Sequence, residues 1–206
     1  MINEQLSIAS KVITIDSFKI LKYIAGLDIG FVKNDPIKAA VGIVILEYPS
    51  LKKVYSNFIN VEMGMDYISG FLAFREVPHY QRILRLVPPE FKPDLLMVDG
   101  NGILHTRRCG VASHLGVLED TPSIGVAKTL YNHDSIKVIN GNLVGKSGEV
   151  WGKALAEKSK KEIYISLGHR ISLETAYQIV KNCCIYRIPE PIRLADNGCR
   201  SFLNGF

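Results

Sequence analysis

The sequence predicts an α/β protein in which a central mixed β-sheet is flanked by helices. Three observations carry that prediction. Apolar, β-branched runs follow one another at 23–28, 39–46 and 53–61, separated by Pro and Asp/Asn signals at 34–36 and 49–50, as an antiparallel meander requires. Beyond them helical and strand patterns alternate, which adds further strands flanked by helices. The 206 residues, 47% hydrophobic and 22% charged, are read as a single domain, 1–206, with one core.

Each element has its own signal. Leu6, Ile8, Ala9, Val12 and Ile13 place a short helix over 4–13, with these residues on one side. Tyr23-Ile24-Ala25-Gly26-Leu27-Asp28 reads as a strand ending in an acid. Ala39–Leu46 is apolar throughout, and 53–61 alternates Val54, Ser56, Phe58 and Asn60. Phe71, Phe74, Val77, Ile83, Leu84 and Val87 recur at near-helical spacing until Pro88-Pro89 stops them, and Pro78 inside the span predicts a kink or a split. Asp94–Gly100 reads as a strand closed by an acid and a glycine, Val111–Leu118 as a helix and Ser123–Ala127 as a buried strand. Asn140-Gly141 between short apolar runs predicts a hairpin. Strands follow at 148–155 and 162–166, and Ser172 caps a helix over 172–184 with Glu174 in its first turn. The order is βββαβαβ, a hairpin-rich segment and a closing helix. That is the order of the ribonuclease H-like fold.

Composition narrows the class of function. A net charge of +5 is compatible with a phosphate-bearing partner. No apolar run approaches 18 residues and the N-terminus lacks a basic region before an apolar one, so neither a membrane span nor a secretory leader is expected. An intracellular protein is the resulting expectation. The four cysteines, at 109, 183, 184 and 199, form no CxxC pair and read as buried free thiols rather than zinc ligands.

Three acids stand at special positions. Asp28 ends the first strand, Asp99 ends the fourth, and Glu76 lies near the start of the first long helix. In a mixed sheet with these strands adjacent, the acids converge. Clustered carboxylates repel one another unless a cation sits among them, and an oxygen-only donor set suits Mg²⁺ or Mn²⁺. Taken singly, each acid reads as a helix cap or a solvated side chain. Asp196, by pattern alone, is an ordinary surface acid.

These segments resemble the endonuclease V family, the inosine-directed nucleases, and look most like its eukaryotic members. The resemblance runs from about Tyr23 to Arg200. It is carried by Gly26–Val32, Tyr67–Glu76, Val98–His105, Gly110–Val117, Gly125–Lys128, Ser166–Glu174 and Arg187–Asp196. It implies a ribonuclease H-like fold and Mg²⁺-dependent hydrolysis of the second phosphodiester bond on the 3′ side of a deaminated purine, leaving 3′-hydroxyl and 5′-phosphate ends. It implies inosine-containing RNA or deaminated DNA as partner, RNA being favoured by the eukaryotic likeness. A monomer in the cytoplasm, with nucleus and nucleolus as further compartments, completes the expectation.

By the same resemblance, Asp28, Glu76, Asp99 and Asp196 match the metal-binding, catalytic acids. Lys128 matches a lysine at the reacting phosphate, and His105 an active-site histidine that positions water or assists proton transfer. Tyr67, Ile68, Ser69 and Gly70 match the loop that wedges into the strand, its aromatic ring stacking where the base has been extruded. Gly100, Asn101 and Gly102 match the loop where main chain approaches the base. Arg107 and Arg108 are expected at backbone phosphates. Among the other histidines, His114 and His169 read as structural, and His79 and His133 carry no signal. The run Lys158, Lys160 and Lys161 reads as a solvated loop. Two positions depart from the family pattern: Gly30, where Ser or a similar residue is usual, and Asp66, where Pro usually precedes the wedge tyrosine.

Two other readings compete with this one. Asp28-Ile29-Gly30 also resembles the phosphate loop of actin-like ATPases, but those need two such domains and a second phosphate motif. A non-catalytic inosine-RNA binder on the same fold is opposed by the presence of all four acids with Lys128 and His105.

Overall fold

The computed structural model describes residues 1–18, 20–130 and 136–205, so the reading of His133 falls outside the described residues. The three apolar runs form β1 (Tyr23–Phe31), β2 (Lys38–Glu47) and β3 (Lys52–Glu62), paired antiparallel in chain order. β4 (Leu95–Asp99) joins β1 in parallel, and β5 (Ser123–Ala127) joins β4 in parallel. The hairpin of β6 (Lys137–Ile139) and β7 (Asn142–Val144) turns on Asn140 and Gly141, both at positive φ, as a two-residue turn of this sequence requires. β8 (Val150–Leu155) and β9 (Ile163–His169) complete one nine-stranded mixed sheet in the order β3-β2-β1-β4-β5-β9-β8-β7-β6.

Helices cover both faces. Ala25, Leu27, Val41, Ile43 and Val98 pack with Val77, Tyr80 and Ile83 of α2 (Leu72–Leu84) and Leu115 of α3 (Val111–Leu118). On the opposite face Ile24, Met97, Val126 and Ile165 pack with Ile179 and Val180 of α4 (Leu173–Asn182) and Ile192 of α5 (Glu190–Asn204). Strands buried on both faces explain why β1, β2, β4 and β5 read as continuous apolar runs.

Several expectations are met. Ser172 caps α4, its hydroxyl accepting from Thr175 N at 3.2 Å. All four cysteines are free and buried. His169 is buried with Nδ1 accepting from Ile13 N at 3.2 Å, a brace between β9 and the N-terminal segment. His114 is buried edge-on against Phe74. Among the described residues no helix is long and apolar enough to cross a membrane.

Three details differ from expectation. α2 is one helix through Pro78, without a split. The N-terminal helix, α1 (Ile2–Ala9), starts earlier and turns Gln5 and Ile8 inward, leaving Leu6 exposed. Its inward face therefore carries a polar residue where periodicity predicts an apolar one. Most consequentially, α5 follows α4, and sequence patterning did not reveal it. Pro189 and Pro191 at its start and Asn197-Gly198 within it obscure the buried spacing of Ile192, Ala195 and Cys199. Proline in the first turn is compatible with a helix because the first N–H groups have no intrahelical partner.

Candidate active site

The sheet register brings the acids together. Leu27 pairs with Val98 in parallel strands, so the next residues, Asp28 and Asp99, stand side by side at the same level. Asp99 ends β4, but β1 runs on to Phe31, so Asp28 lies within its strand opposite Gly42 and not at its end as the sequence predicts; the pairing with β2 continues past the acid. Asp99 pairs with Val126 of β5, and Lys128, two residues on, projects toward the same face. α5 crosses that face. Its approach to β1 depends on Gly26, where a Cβ would lie 2.0 Å from Pro191 O. It is fastened by Cys199, whose Sγ lies 3.6 Å from Asp28 O. Gly30 belongs to the same contact: a Cβ there would lie 2.9 Å from Cys199 Cβ, which accounts for the small residue at this departure from the family pattern. Asp196 is thereby carried to the cluster, and Glu76 arrives from α2 in the other layer.

Charge is unevenly balanced across these groups. Lys128 Nζ lies 2.5 Å from Asp99 Oδ2 and 3.7 Å from Asp196 Oδ2. Arg200 grips Asp196 from one turn further along α5, with Nε and a terminal nitrogen at 2.9 and 2.8 Å. Asp28 is 7% exposed, and burial, then the Asp99 carboxylate, hold its pKa well above the usual range despite the opposing pull of Lys128. Glu76 is pushed up to about 8 by burial, then by Asp99, against a hydrogen bond from Tyr80 Oη at 3.4 Å. Burial acts to lower the Lys128 pKa, but Asp99, Asp28 and Asp196 outweigh it and raise the ammonium's affinity for its proton.

Among the described residues, no three His, Cys, Asp or Glu side chains are arranged as a ready-made metal cage. Lys128 supplies the positive charge between Asp99 and Asp196 instead. The donor chemistry nonetheless fits a hard divalent cation: every acid offers only oxygen, and two of them are held toward protonation by burial and by the neighbouring Asp99 carboxylate, a penalty that a bound cation would offset.

One cleft of about 390 Å³ gathers part of the sequence-predicted set, while Asp196, Ile68, Ser69, Gly102, Arg107 and Arg108 are not among its lining residues. Asp28, Glu76, Asp99 and Lys128 line it together with Tyr67, Gly70, Gly100, Asn101 and His105. Tyr67 is 64% exposed and Ile68 43%, with Asp66 and Ser69 also exposed beside them, so the loop presents its ring and side chains outward. Gly100 has φ +145°, and a Cβ there would strike Val111. Gly102 lies beneath, its N–H donating to Ser166 Oγ at 2.8 Å and its Cα packed against Leu167 O, where a Cβ would come within 2.0 Å.

The remaining residues have partners that the sequence did not foretell. His105 is buried; Nδ1 accepts from Arg107 N at 3.2 Å, so Nε2 carries the proton toward Gly70 O at 3.1 Å. Arg107 donates to Gly70 O at 2.6 Å and to Gln5 Oε1 at 2.5 Å. Arg108 pairs with Glu149 at 2.9 Å and covers the Trp151 ring at 3.5 Å. Both arginines, expected at phosphates, thus tie protein segments together. Sequence reasoning also missed Arg200, Gln5 and Arg187, whose guanidinium donates to Lys128 O at 2.7 Å and steadies that residue's backbone. Only Arg200 had a signal, an i, i+4 acid–base pair on a helix that went unread.

Comparison with known proteins places this geometry. A model of the endonuclease V family matches residues 6–197. Mouse endonuclease V is 44% identical over 91% of the chain, which spans 61% of the mouse protein's length. The catalytic domain of human endonuclease V superposes with a TM-score of 0.94 at 37% identity, covering 98% of this chain and 94% of that one. Endonuclease V of Ciona intestinalis, solved with a 24mer DNA containing an inosine followed by a ribo-adenosine, gives 0.91 at 36% identity, covering 98% and 96%. The fold is therefore ribonuclease H-like, as the element order predicts, and the chain belongs to the endonuclease V family.

Proposed function

We propose that the chain is a metal-dependent endonuclease that hydrolyses the second phosphodiester bond on the 3′ side of inosine, with Mg²⁺ as the metal and single-stranded RNA as the preferred substrate. One observation carries this reading: Asp28, Asp99 and Lys128 line the same cleft as an outward-facing Tyr67. Carboxylates for a cation, an ammonium for a phosphate and an aromatic ring for an unstacked base are what strand cleavage beside a flipped base needs.

Asp28, Glu76, Asp99 and Asp196 would hold the metal. Mg²⁺ bound there supplies Lewis-acid charge and a more acidic water. The chain's own groups do the rest. Lys128 Nζ offsets charge developing on the phosphate. Arg200 and Arg187 hold Asp196 and the Lys128 backbone in place. Tyr67 fills the gap left in the base stack, and the Gly100–Gly102 backbone offers close main-chain contact to the base, with Asn101 Oδ1 buried and without a hydrogen-bond partner. His105, hydrogen-bonded to Gly70, sets the wedge loop against that floor.

Deoxyinosine DNA is the second reading, because the Ciona relative is seen on a largely DNA strand. The test uses 5′-labelled oligonucleotides with one inosine, as RNA and as DNA, in Mg²⁺, in Ca²⁺ and in chelator. Cleavage of RNA in Mg²⁺ at the second 3′ phosphodiester, faster than of DNA, is expected. Faster cleavage of DNA would reverse the substrate preference. Absence of cleavage with binding intact would refute the nuclease reading.

A further inference from the structure

We propose that Gln5 is a positioning residue for the loop that carries Tyr67, coupling the N-terminal helix to the depth at which that ring enters the strand. This rests on the reading of Tyr67 as the wedge. Gln5 is 1% exposed and lines the cleft. Its Nε2 donates to Cys109 O at 2.7 Å and to Gly70 O at 3.3 Å, and its Oε1 accepts from Arg107 Nε at 2.5 Å. One buried amide thus ties the end of the wedge loop to the segment that follows the base-facing loop. Gly70 O receives two further donors, Arg107 at 2.6 Å and His105 at 3.1 Å, and Arg107 also covers the Phe71 ring at 4.4 Å. Gly70 itself sits at φ +79°, where the chain turns into α2.

Burying an amide is unfavourable unless both ends are bonded, and an apolar residue would fill this helix face more simply. Here both ends are used, the Nε2 end on two backbone carbonyls and the Oε1 end on the Arg107 guanidinium, all far away in sequence and flanking the site. Tyr67 lies three residues before Gly70, so a shift of that carbonyl tilts the wedge.

The test measures kcat/KM on an inosine RNA oligonucleotide in Mg²⁺ for Gln5→Leu and Gln5→Glu, each alone and with Tyr67→Ala. Leucine removes every bond; glutamate keeps the shape and the acceptor for Arg107 but has no donor when ionised, so it carries the test where leucine fails to fold. We expect each to lose roughly 10- to 100-fold alone, and less than about twofold when Tyr67 is already alanine. Equal losses in both backgrounds, or no loss, would overturn the proposal. Amide exchange provides an arm independent of cleavage. Faster exchange at 67–71 with unchanged exchange at 24–28 is expected for both variants, and unchanged exchange at 67–71 would overturn the inference even where the wild-type chain does not cut inosine RNA.

Discussion

Lys128 and Asp99 form the closest charge pair of the site, Nζ to Oδ2 at 2.5 Å, from the ends of two adjacent parallel strands. Each group limits the other. The ammonium stabilises a carboxylate crowded by Asp28 and Asp196, and it occupies charge that a divalent cation would otherwise supply. The pair links the architecture to the chemistry, since β4–β5 register alone brings the two side chains together.

Replacing the ammonium therefore has opposing effects. Lys128→Met is expected to lower kcat by roughly 100-fold, the scale of losing one preorganised donor at a developing anion. The same change frees Asp99, so Mg²⁺ should raise the thermal midpoint of the variant more than that of the wild type. Single-turnover cleavage rates check the first effect, and differential scanning fluorimetry with chelator and with Mg²⁺ checks the second.

Glu76, with its pKa near 8, makes stability depend on pH in the absence of metal. The folded protein keeps this proton after the unfolded chain has released its own near 4.5, so folding takes up a proton across that window. Stability should be greatest below the window and fall as pH rises through it. Asp28, raised by the same causes, acts in the same direction. Urea unfolding in chelator between those limits should show a shallower slope for Glu76→Gln, which should be more stable than wild type at pH 8.

Tyr67→Ala removes an exposed ring, so unfolding free energy should change by less than about 0.5 kcal/mol. Cleavage of the inosine strand should nonetheless fall, by about 1–3 kcal/mol in transition-state terms for one lost stacking contact. Paired urea titrations and single-turnover rates separate the two.

Gly26→Ala tests how α5 delivers Asp196. A Cβ would meet Pro191 backbone at 2.0 Å, and neither strand nor helix backbone yields cheaply, whereas at Gly64 a Cβ meets nothing within 4 Å. Gly26→Ala should destabilise by about 1–3 kcal/mol or more and reduce cleavage, with Gly64→Ala neutral in both assays.

Much of this was legible in the sequence because buried strands leave apolar runs bounded by turn residues. Asp99 could be placed at the end of its strand, and the Asn140-Gly141 turn and the Ser172 cap read directly, whereas Asp28, expected to end β1, lies inside it because the pairing with β2 runs on to Phe31. What was not legible depends on partners distant in sequence. Asp196 looked like a surface acid because α5, hidden behind its prolines and Asn197-Gly198, was not recognised as the element facing β1. The sequence also cannot show the protein partners of Arg107 and Arg108, which are Gly70 O, Glu149 and the Trp151 ring. Gln5 broke the apolar pattern of its helix, and only the fold shows what it holds.

The central claim, that the acids gathered around Asp28 and Asp99 are the catalytic centre for inosine-directed cleavage, is tested most directly by single-turnover cleavage of matched strands bearing inosine or adenosine, using the wild type and Asp99→Asn. The account predicts Mg²⁺-dependent cutting of the inosine strand alone, lost in Asp99→Asn with strand binding retained. Equal cutting of both strands, or cleavage undiminished in Asp99→Asn, would contradict it.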